Sequence, residues 1–537
     1  PAFFFTNFIF ILIGSFILTP LEFDQIQGQV FSSVAFVNNF YFWNQASYFD
    51  KSYFNPLLNL WSLGVEIQFY LFFPLLALIW KKSKIFVSIV AITSFLLCLV
   101  MITVSPKTSF FMMPTRFWEF YLGILSAHYF LKKDFQNKNE SSIALSIFCL
   151  LLVFILFVPL NPDSQSLFFG HPSFSSLAVC ILTALILFFG ISNNFFENIL
   201  GKFFTKLGNV SYSAYLVHFP IIIFYNYSPF QGTEMGYASL YDLGIIVLLV
   251  AAATAITYSY FEKSNFLNQK TYSLTLLLSV VLVSSCYIFK EVNKINYKND
   301  ASVFEAAADR GIYRCGKLFR LLNPSKSVCY LDNFQGKQNI LLLGNSHADS
   351  IKSRFLKLSK NRDIGIMFTT INPPILGDKL PIGKLTNELK QNMPETVVIH
   401  FSDIYSNKEH LKKLEIAIKE FIKKEVTIHI VPPVPTYPKN VPQSIYEAKK
   451  GLVSDINNIS KQHYRETLLP FYTFITELNN KGLEIYSYNL EELFCELDYC
   501  TLVNDDLYPI YYDDNHLNTL GAAILDPIFE KIISKSL

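Results

Sequence analysis

Long uninterrupted apolar runs dominate the first 290 positions, and from about residue 338 they give way to short runs separated by charged stretches. Runs of about 20 apolar residues can cross a ~30 Å hydrocarbon core as helices. Nine occur in succession, at roughly 1–19, 57–80, 85–104, 113–131, 141–160, 175–193, 207–227, 237–261 and 272–290. Any one of them reads equally well as a buried core helix. Nine in a row predict a multi-pass α-helical membrane domain over 1–290.

Within 338–537 the periodicity changes. Ile340–Leu343, Ile366–Thr370, Thr396–Phe401, Val426–Val431 and Leu483–Tyr488 read as buried parallel strands. His410–Lys424 and Ile445–Gln462 read as amphipathic helices between them. Strands alternating with helices predict an α/β three-layer domain, a parallel sheet covered on both faces. The charged segment 291–337 reads as a linker or extension that packs against this sheet.

Lysines predict the orientation. Lys81, Lys82, Lys84, Lys132, Lys133, Lys138, Lys202, Lys206, Lys263 and Lys270 fall on one side, and only Lys51 and Lys107 on the other. The Lys-rich loops are therefore expected in the cytoplasm, and the ninth run leaves residues after about 290 outside it. The cysteines fit that compartment. Cys315 with Cys329 and Cys495 with Cys500 form two local couples, read as disulfides of an oxidising environment. Cys98, Cys149, Cys180 and Cys286 lie in apolar runs as small fillers. A formal net charge of +2 provides no basic stripe, which excludes a nucleic-acid binder, and no metal-ligand spacing occurs. The chain begins at Pro1, directly in an apolar run, with neither an initiator Met nor a signal peptide. It is expected to be part of a longer protein.

Chemistry concentrates at two distant places. Gly344-Asn345-Ser346-His347 follows the first strand, and Asp513-x-x-His516 lies near the C-terminus. Ligands of such sheets bind beyond the carboxyl ends of the strands, where Ser346 falls. A serine hydroxyl needs an adjacent base. His516 is the candidate, with Asp513 orienting its ring, and the next helix's first amides can support an oxyanion. Each part alone reads as well as an ordinary turn or a solvated loop. His400 and His429 read as strand residues, and His410 and His463 as surface helix positions. In the apolar half, ionisable groups are costly and mark sites or pathways. Glu66, Arg116, Glu119 and His218 are the candidates; pairing of Arg116 with a neighbouring Glu is the plain structural alternative.

GNSHADS and DDNHLNTLGA resemble the SGNH hydrolase superfamily, in particular the SGNH domain fused to bacterial acyltransferase-3 membrane proteins. The run VPPVPTYPKNVP at 431–442 resembles the same group. The stretch 56–70, which includes Trp61, Glu66 and Tyr70, resembles the acyltransferase-3 signature around WSLSVEEQFY, and 114–119 and 208–220 resemble two further family stretches. The resemblance implies Ser346 as nucleophile, His516 as base and Asp513 as its partner, with Tyr70 beside Glu66, Arg116, Glu119 and His218 in membrane acyl transfer. Asn345 stands where Asp is usual, Asn59 where His is usual, and Ile67 replaces a Glu. The family's oxyanion Gly and Asn are missing, and Asn372 and Ser402 are the substitutes at hand. The family's first-helix histidine and an arginine-rich stretch belong upstream of Pro1, where two more helices would make eleven.

That resemblance implies an O-acyltransferase of the bacterial inner membrane with a periplasmic SGNH domain. Acetyl-CoA would be the cytoplasmic donor, no cofactor is tightly bound, and a cell-envelope glycan accepts the acyl group. Lipopolysaccharide O-antigen is favoured among acceptors, and peptidoglycan is open. The alternative is a membrane-anchored esterase that deacetylates surface polysaccharide or peptidoglycan. A transporter without chemistry and a sensor or scaffold are further alternatives that nothing specific favours.

Overall fold

A computed structural model describes residues 1–45, 53–130, 138–157, 166–168, 172–190, 197–237, 239–263, 271–311, 314–316, 319, 322–323, 326–331, 338–360, 362, 364–370, 382–402, 404–453, 456 and 458–536. The chain divides into two compact units, Pro1–Asn296 and Tyr297–Leu537.

In the first unit the described residues of the nine apolar runs form helices. Among the described residues five helices, Leu58–Lys82, Lys84–Val104, Ile199–Tyr225, Leu240–Glu262 and Ser273–Asn296, are long and apolar enough to cross a membrane. Ala2–Ile17, Ser142–Ile155 and Phe174–Phe189 are apolar but shorter. The run expected at 113–131 is shortened at its start because Met113–Thr115 is a 3-10 turn, so its α-helix begins at Phe117 and is described to Phe130. The chain is thus a multi-pass helical membrane protein.

Two helices escaped the apolar count because polar residues interrupt their buried faces. Pro20–Val34 starts on a Thr19–Glu22 capping box, with Pro20 in its first turn. It buries Glu22, Gln27, Gln29, Ser32 and Ser33. Asn38–Asn44 follows it. Glu22 accepts from Tyr227 Oη (2.7 Å) and from the Phe230 amide (2.8 Å). Gln29 Nε2 donates to Phe54 O (2.7 Å) and Gln29 Oε1 accepts from the Leu57 amide (3.0 Å). Buried amides paired in this way avoid the cost of unmet donors and acceptors.

These contacts bear on the alternation of loops. Lys107 Nζ donates to Gln45 O (2.8 Å), Trp43 Nε1 to Thr108 Oγ1 (3.0 Å), and the Asn55 amide to Thr233 Oγ1 (2.9 Å). Asn293 Nδ2, near the end of the last helix, donates to Leu18 O (2.8 Å), and Lys290 pairs with Asp24 (2.7 Å). The loops after the first, third and seventh runs therefore gather at one end, together with the exit of the ninth. At the other end Lys84 Nζ meets His128 Nε2 (3.2 Å). This is the alternation that the lysines predict.

The second unit is built on a six-stranded sheet in the order β1-β3-β2-β4-β5-β6. The strands are β1 Cys329–Tyr330, β2 Gln338–Gly344, β3 Ile364–Thr370, β4 Thr396–His400, β5 Thr427–Val431 and β6 Tyr486–Ser487. The core strands β2 to β5 are parallel, and Leu341, Leu343, Val397, Ile399, Ile428 and Ile430 join one core with Leu414, Ile418, Phe421, Phe471 and Leu478 of the covering helices. Near-continuous apolar strands are what burial on both faces demands.

Three expectations need correction. The sheet is mixed, because β1 pairs antiparallel with β3 at the edge. Only Tyr486–Ser487 of the expected strand Leu483–Tyr488 pairs, with β5. The helix expected over Ile445–Gln462 does not exist as one element. Val441–Lys449 ends before Gly451, whose φ of 68° belongs to the left-handed region that stops a helix, and a new helix, Lys461–Asn480, starts on the Ser460 cap.

The extension before the sheet is ordered where it is described. Ala301–Ala308 is a helix that buries Val303, Phe304, Ala306 and Ala307, and Lys450 pairs with Asp300 (2.9 Å). Both predicted disulfides form, Cys315–Cys329 and Cys495–Cys500.

Candidate active site

Ser346 is the first residue of the helix Ser346–Ser359, directly beyond the carboxyl end of β2. The sharp strand-to-helix passage depends on Gly344. A side chain there would collide with the backbone of His400 on β4 and with Ala348. Asn345 is the helix cap. Its Oδ1 accepts from the His347 amide (3.1 Å), and its Nδ2 donates to Ser402 Oγ (3.2 Å). An aspartate at this position could keep the second contact only by accepting from the Ser402 hydroxyl, so the amide reverses the direction of the tie to the loop after β4. The Ser346 amide, at the open end of the helix, has no intrahelical acceptor.

The opposite half of the site is a small hairpin. Tyr511 and Leu517 form a bridge, Tyr512 N donates to His516 O (3.1 Å), and Asp513 caps the turn. Asp513 Oδ1 accepts from the amides of Asn515 (3.1 Å) and His516 (2.7 Å), while Oδ2 faces His516 Nδ1 (2.8 Å). His516 Nε2 lies 2.7 Å from Ser346 Oγ. With Nδ1 donating to the carboxylate, Nε2 is the acceptor and takes the serine hydroxyl. The turn is held from outside by Tyr437 N on Asp514 O (2.9 Å) and Val441 N on Asp513 O (3.1 Å), which places the 431–442 run in the frame of the site.

Electrostatics keep the carboxylate ready. Burial pushes the Asp513 carboxyl up, but the bond to His516, the charge of that ring and the two loop amides outweigh it and hold Asp513 below the usual range. Burial, then the charge of Asp513, pushes its neighbour Asp514 up. Beneath the hairpin, His347 stacks on His516 with ring centroids 4.3 Å apart, and His400 approaches His347 at 6.1 Å. Burial and the neighbouring rings push His347 well down, and burial pushes His400 down to about 4. His347 is the participant that residue-by-residue reading missed, although it is the fourth letter of the GNSH motif. His400 and His429 lie in β4 and β5, and His410 and His463 in helices. Ser402 touches Asn345, and Asn372 lies outside the described residues.

In the membrane unit, Arg116 and Glu119 come together. Arg116 Nη2 pairs with Glu119 Oε2 (3.0 Å), Nη1 donates to Phe110 O (3.1 Å), and the guanidinium lies 5.1 Å from the Trp61 ring. Glu119 Oε1 is buried without a hydrogen-bond partner. His218 Nδ1 lies against the carbonyls of Ala214 (3.1 Å) and Tyr215 (3.0 Å), which makes it the protonated nitrogen. Glu66 is half-buried on Trp61–Lys82. Tyr70, one turn further, is 58% exposed at the outer surface of the unit. Asn59 Nδ2 donates to Tyr215 O (2.7 Å).

A serine on a strand-to-helix passage, reached by a histidine and a carboxylate from a late loop, defines an SGNH-type site on a mostly parallel sheet. Residues 314–531 match the model of the SGNH domain fused to AT3 domains, and residues 1–260 match that of the acyltransferase domain. The chain belongs to the acyltransferase-3 membrane proteins that carry an SGNH domain. It is similar to the O-acetyltransferase OatA of Staphylococcus aureus, 30% identical over 268 residues, 47% of this chain and 43% of that protein. YrhL of Bacillus subtilis, whose name proposes peptidoglycan O-acetylation, is 26% identical over 279 residues, again 47% and 43% of the two chains. The chain thus spans less than half the length of these relatives. A solved periplasmic domain of a Salmonella ser. Paratyphi A lipopolysaccharide acetyltransferase aligns with 45% of this chain and 96% of its own, at 20% identity and a TM-score of 0.32.

Proposed function

We propose that this protein is an O-acyltransferase, concretely an O-acetyltransferase, that modifies a hydroxyl of a cell-envelope glycan at Ser346. The observation that carries the reading is the continuous relay Asp513–His516–Ser346, with contacts of 2.8 and 2.7 Å, on a chain whose other half is an acyltransferase domain. The names of OatA and YrhL support acetyl as the acyl group.

In this scheme acetyl-CoA donates on the cytoplasmic side of the inner membrane. The membrane unit passes the acetyl group outward, and the second unit acts in the periplasm. His516 Nε2 removes the Ser346 proton as Oγ attacks the acyl carbonyl, Asp513 stabilises the imidazolium, and the Ser346 amide helps to hold the oxyanion. The leaving group departs with that proton. His516 then deprotonates the glycan hydroxyl, which takes the acetyl group and frees Ser346. Water must be kept out at this second step, which a bound acceptor achieves. O-antigen of lipopolysaccharide is the acceptor proposed first, with peptidoglycan second.

The test supplies detergent-solubilised protein with acetyl-labelled CoA and each glycan in turn. Label on Ser346 and then on the sugar is expected, and neither in Ser346→Ala. Release of free acetate with no transfer would move the assignment to an esterase.

A further inference from the structure

The segment just before the SGNH match touches both halves of the site. Asp309 follows the helix Ala301–Ala308 and points both carboxylate oxygens at the turn that follows the His516 hairpin. Oδ1 accepts from the Thr519 hydroxyl and Oδ2 from the Leu520 amide (3.0 Å). The Arg310 guanidinium lies 4.6 Å from the centroid of Tyr512. Tyr512 in turn stacks on His516 with centroids 5.3 Å apart and planes only 5° apart. The backbone of Gly311 then lies against Ser353 of the Ser346 helix, where a β-carbon would stand 2.7 Å from its hydroxyl. The Arg314 amide is held by both oxygens of Asp349 (2.9 and 3.2 Å), three residues after Ser346. Arg314 accepts a φ of 49° there, a left-handed conformation that non-glycine residues rarely adopt.

We propose that Asp309 and Arg310 are positioning residues for His516, fixing the hairpin from the turn that follows it and from its Tyr512 face. The proposal rests on the serine acyl-transfer reading above. Physically, His516 is bound to Asp513 within its own hairpin, so that bond fixes the ring relative to the hairpin alone. The distance to Ser346 is a separate quantity, set by how the hairpin docks on the rest of the unit. Asp309 makes two of the bonds that set it, and a small misplacement of a base costs far more rate than binding.

The test follows labelling of full-length protein by a fluorophosphonate, which reports an activated serine. Asp309→Ala is expected to slow labelling about tenfold or more. Asp309→Asn, which keeps one good acceptor, and Thr519→Val, which removes one donor, should fall between. Thr519→Val should add nothing further in the Asp309→Ala background, since both remove the same bond. Arg310→Ala should slow labelling by a smaller factor. Arg362→Ala, which breaks the Arg362–Glu530 pair elsewhere, serves as the stability control and should label at the native rate. Native labelling in Asp309→Ala, or an equal loss in Arg362→Ala at a matched Tm, overturns the proposal. Labelling that persists in Ser346→Ala overturns the serine reading and this proposal with it, whereas loss only in Ser346→Ala sinks the positioning role alone.

Discussion

The imidazole of His347 lies against that of His516, with centroids 4.3 Å apart and planes 30° apart. Burial holds His347 well below the ordinary imidazole range, so it stays neutral when His516 takes a proton. A neutral, flat partner supports the ring without repelling the charge. Removing it in His347→Ala leaves a gap beside the base. The expected result is a fall in kcat of about tenfold with an unchanged KM for the acceptor. A change confined to KM would contradict this role.

Asp513→Asn tests the carboxylate in a nearly isosteric form. The amide can still accept from the Asn515 and His516 backbone, so the hairpin should persist. What is lost is the charge that stabilises the imidazolium and selects the Nδ1–H tautomer. Serine triads lose roughly 10⁴-fold on such a change. A loss of about 10³-fold or more in acyl transfer is expected here, with an unfolding midpoint close to the native one.

Acid should weaken the second unit through its buried histidines. His400 is pushed down to about 4 in the folded protein, against an ordinary value near 6.5 in the unfolded chain. The unfolded form therefore binds the extra proton between these values, so stability is full above about pH 6.5 and declines toward pH 4. His400 alone accounts for about 3 kcal/mol across that window. His347 acts in the same direction, while Asp513, held low, adds a loss only further into acid. Unfolding of the solubilised protein from about pH 7.5 to 4.5 should show the decline, and His400→Asn should make it shallower. A flat native profile would count against the burial argument.

Gly344→Ala places a methyl group where the His400 backbone and Ala348 already stand. Neither neighbour can yield, since one is strand backbone and the other sits in the Ser346 helix. A loss of about 3 kcal/mol or more is expected, as for other severe overpacking, together with loss of serine labelling. Normal stability would show that β2 and β4 can separate.

Reduction should act on the edge of the sheet. Cys315–Cys329 closes a sequence separation of 14 and anchors β1, for which chain-entropy arguments give about 3 kcal/mol. Cys315→Ser with Cys329→Ser should lower the thermal midpoint and increase proteolysis near residue 330. The Cys495–Cys500 bond, across a separation of 5, should contribute less.

Much of this architecture is legible in the residues. Apolar run length identifies the membrane helices, and Ile340–Leu343 ahead of GNSH places the serine at a strand end. The helices Pro20–Val34 and Asn38–Asn44 were not legible, because their buried faces mix apolar residues with polar ones whose partners, such as those of Gln29 at Phe54 and Leu57, lie tens of positions away. The break at Gly451 was hidden by good helix periodicity on both sides. The roles of Asp309 and Arg310 were equally hidden. Nothing in a charged linker announces that its carboxylate will meet an amide two hundred residues later.

The turn Asp513–His516 closes on itself, since one carboxylate satisfies two amides and orients the ring within four residues. Its chemistry is thus written locally, while its aim is written elsewhere, by Tyr437, Val441 and Asp309. Such a piece behaves as a cassette. It can be transplanted, permuted or duplicated with its internal geometry intact, and whether it becomes an enzyme depends on the cradle that receives it.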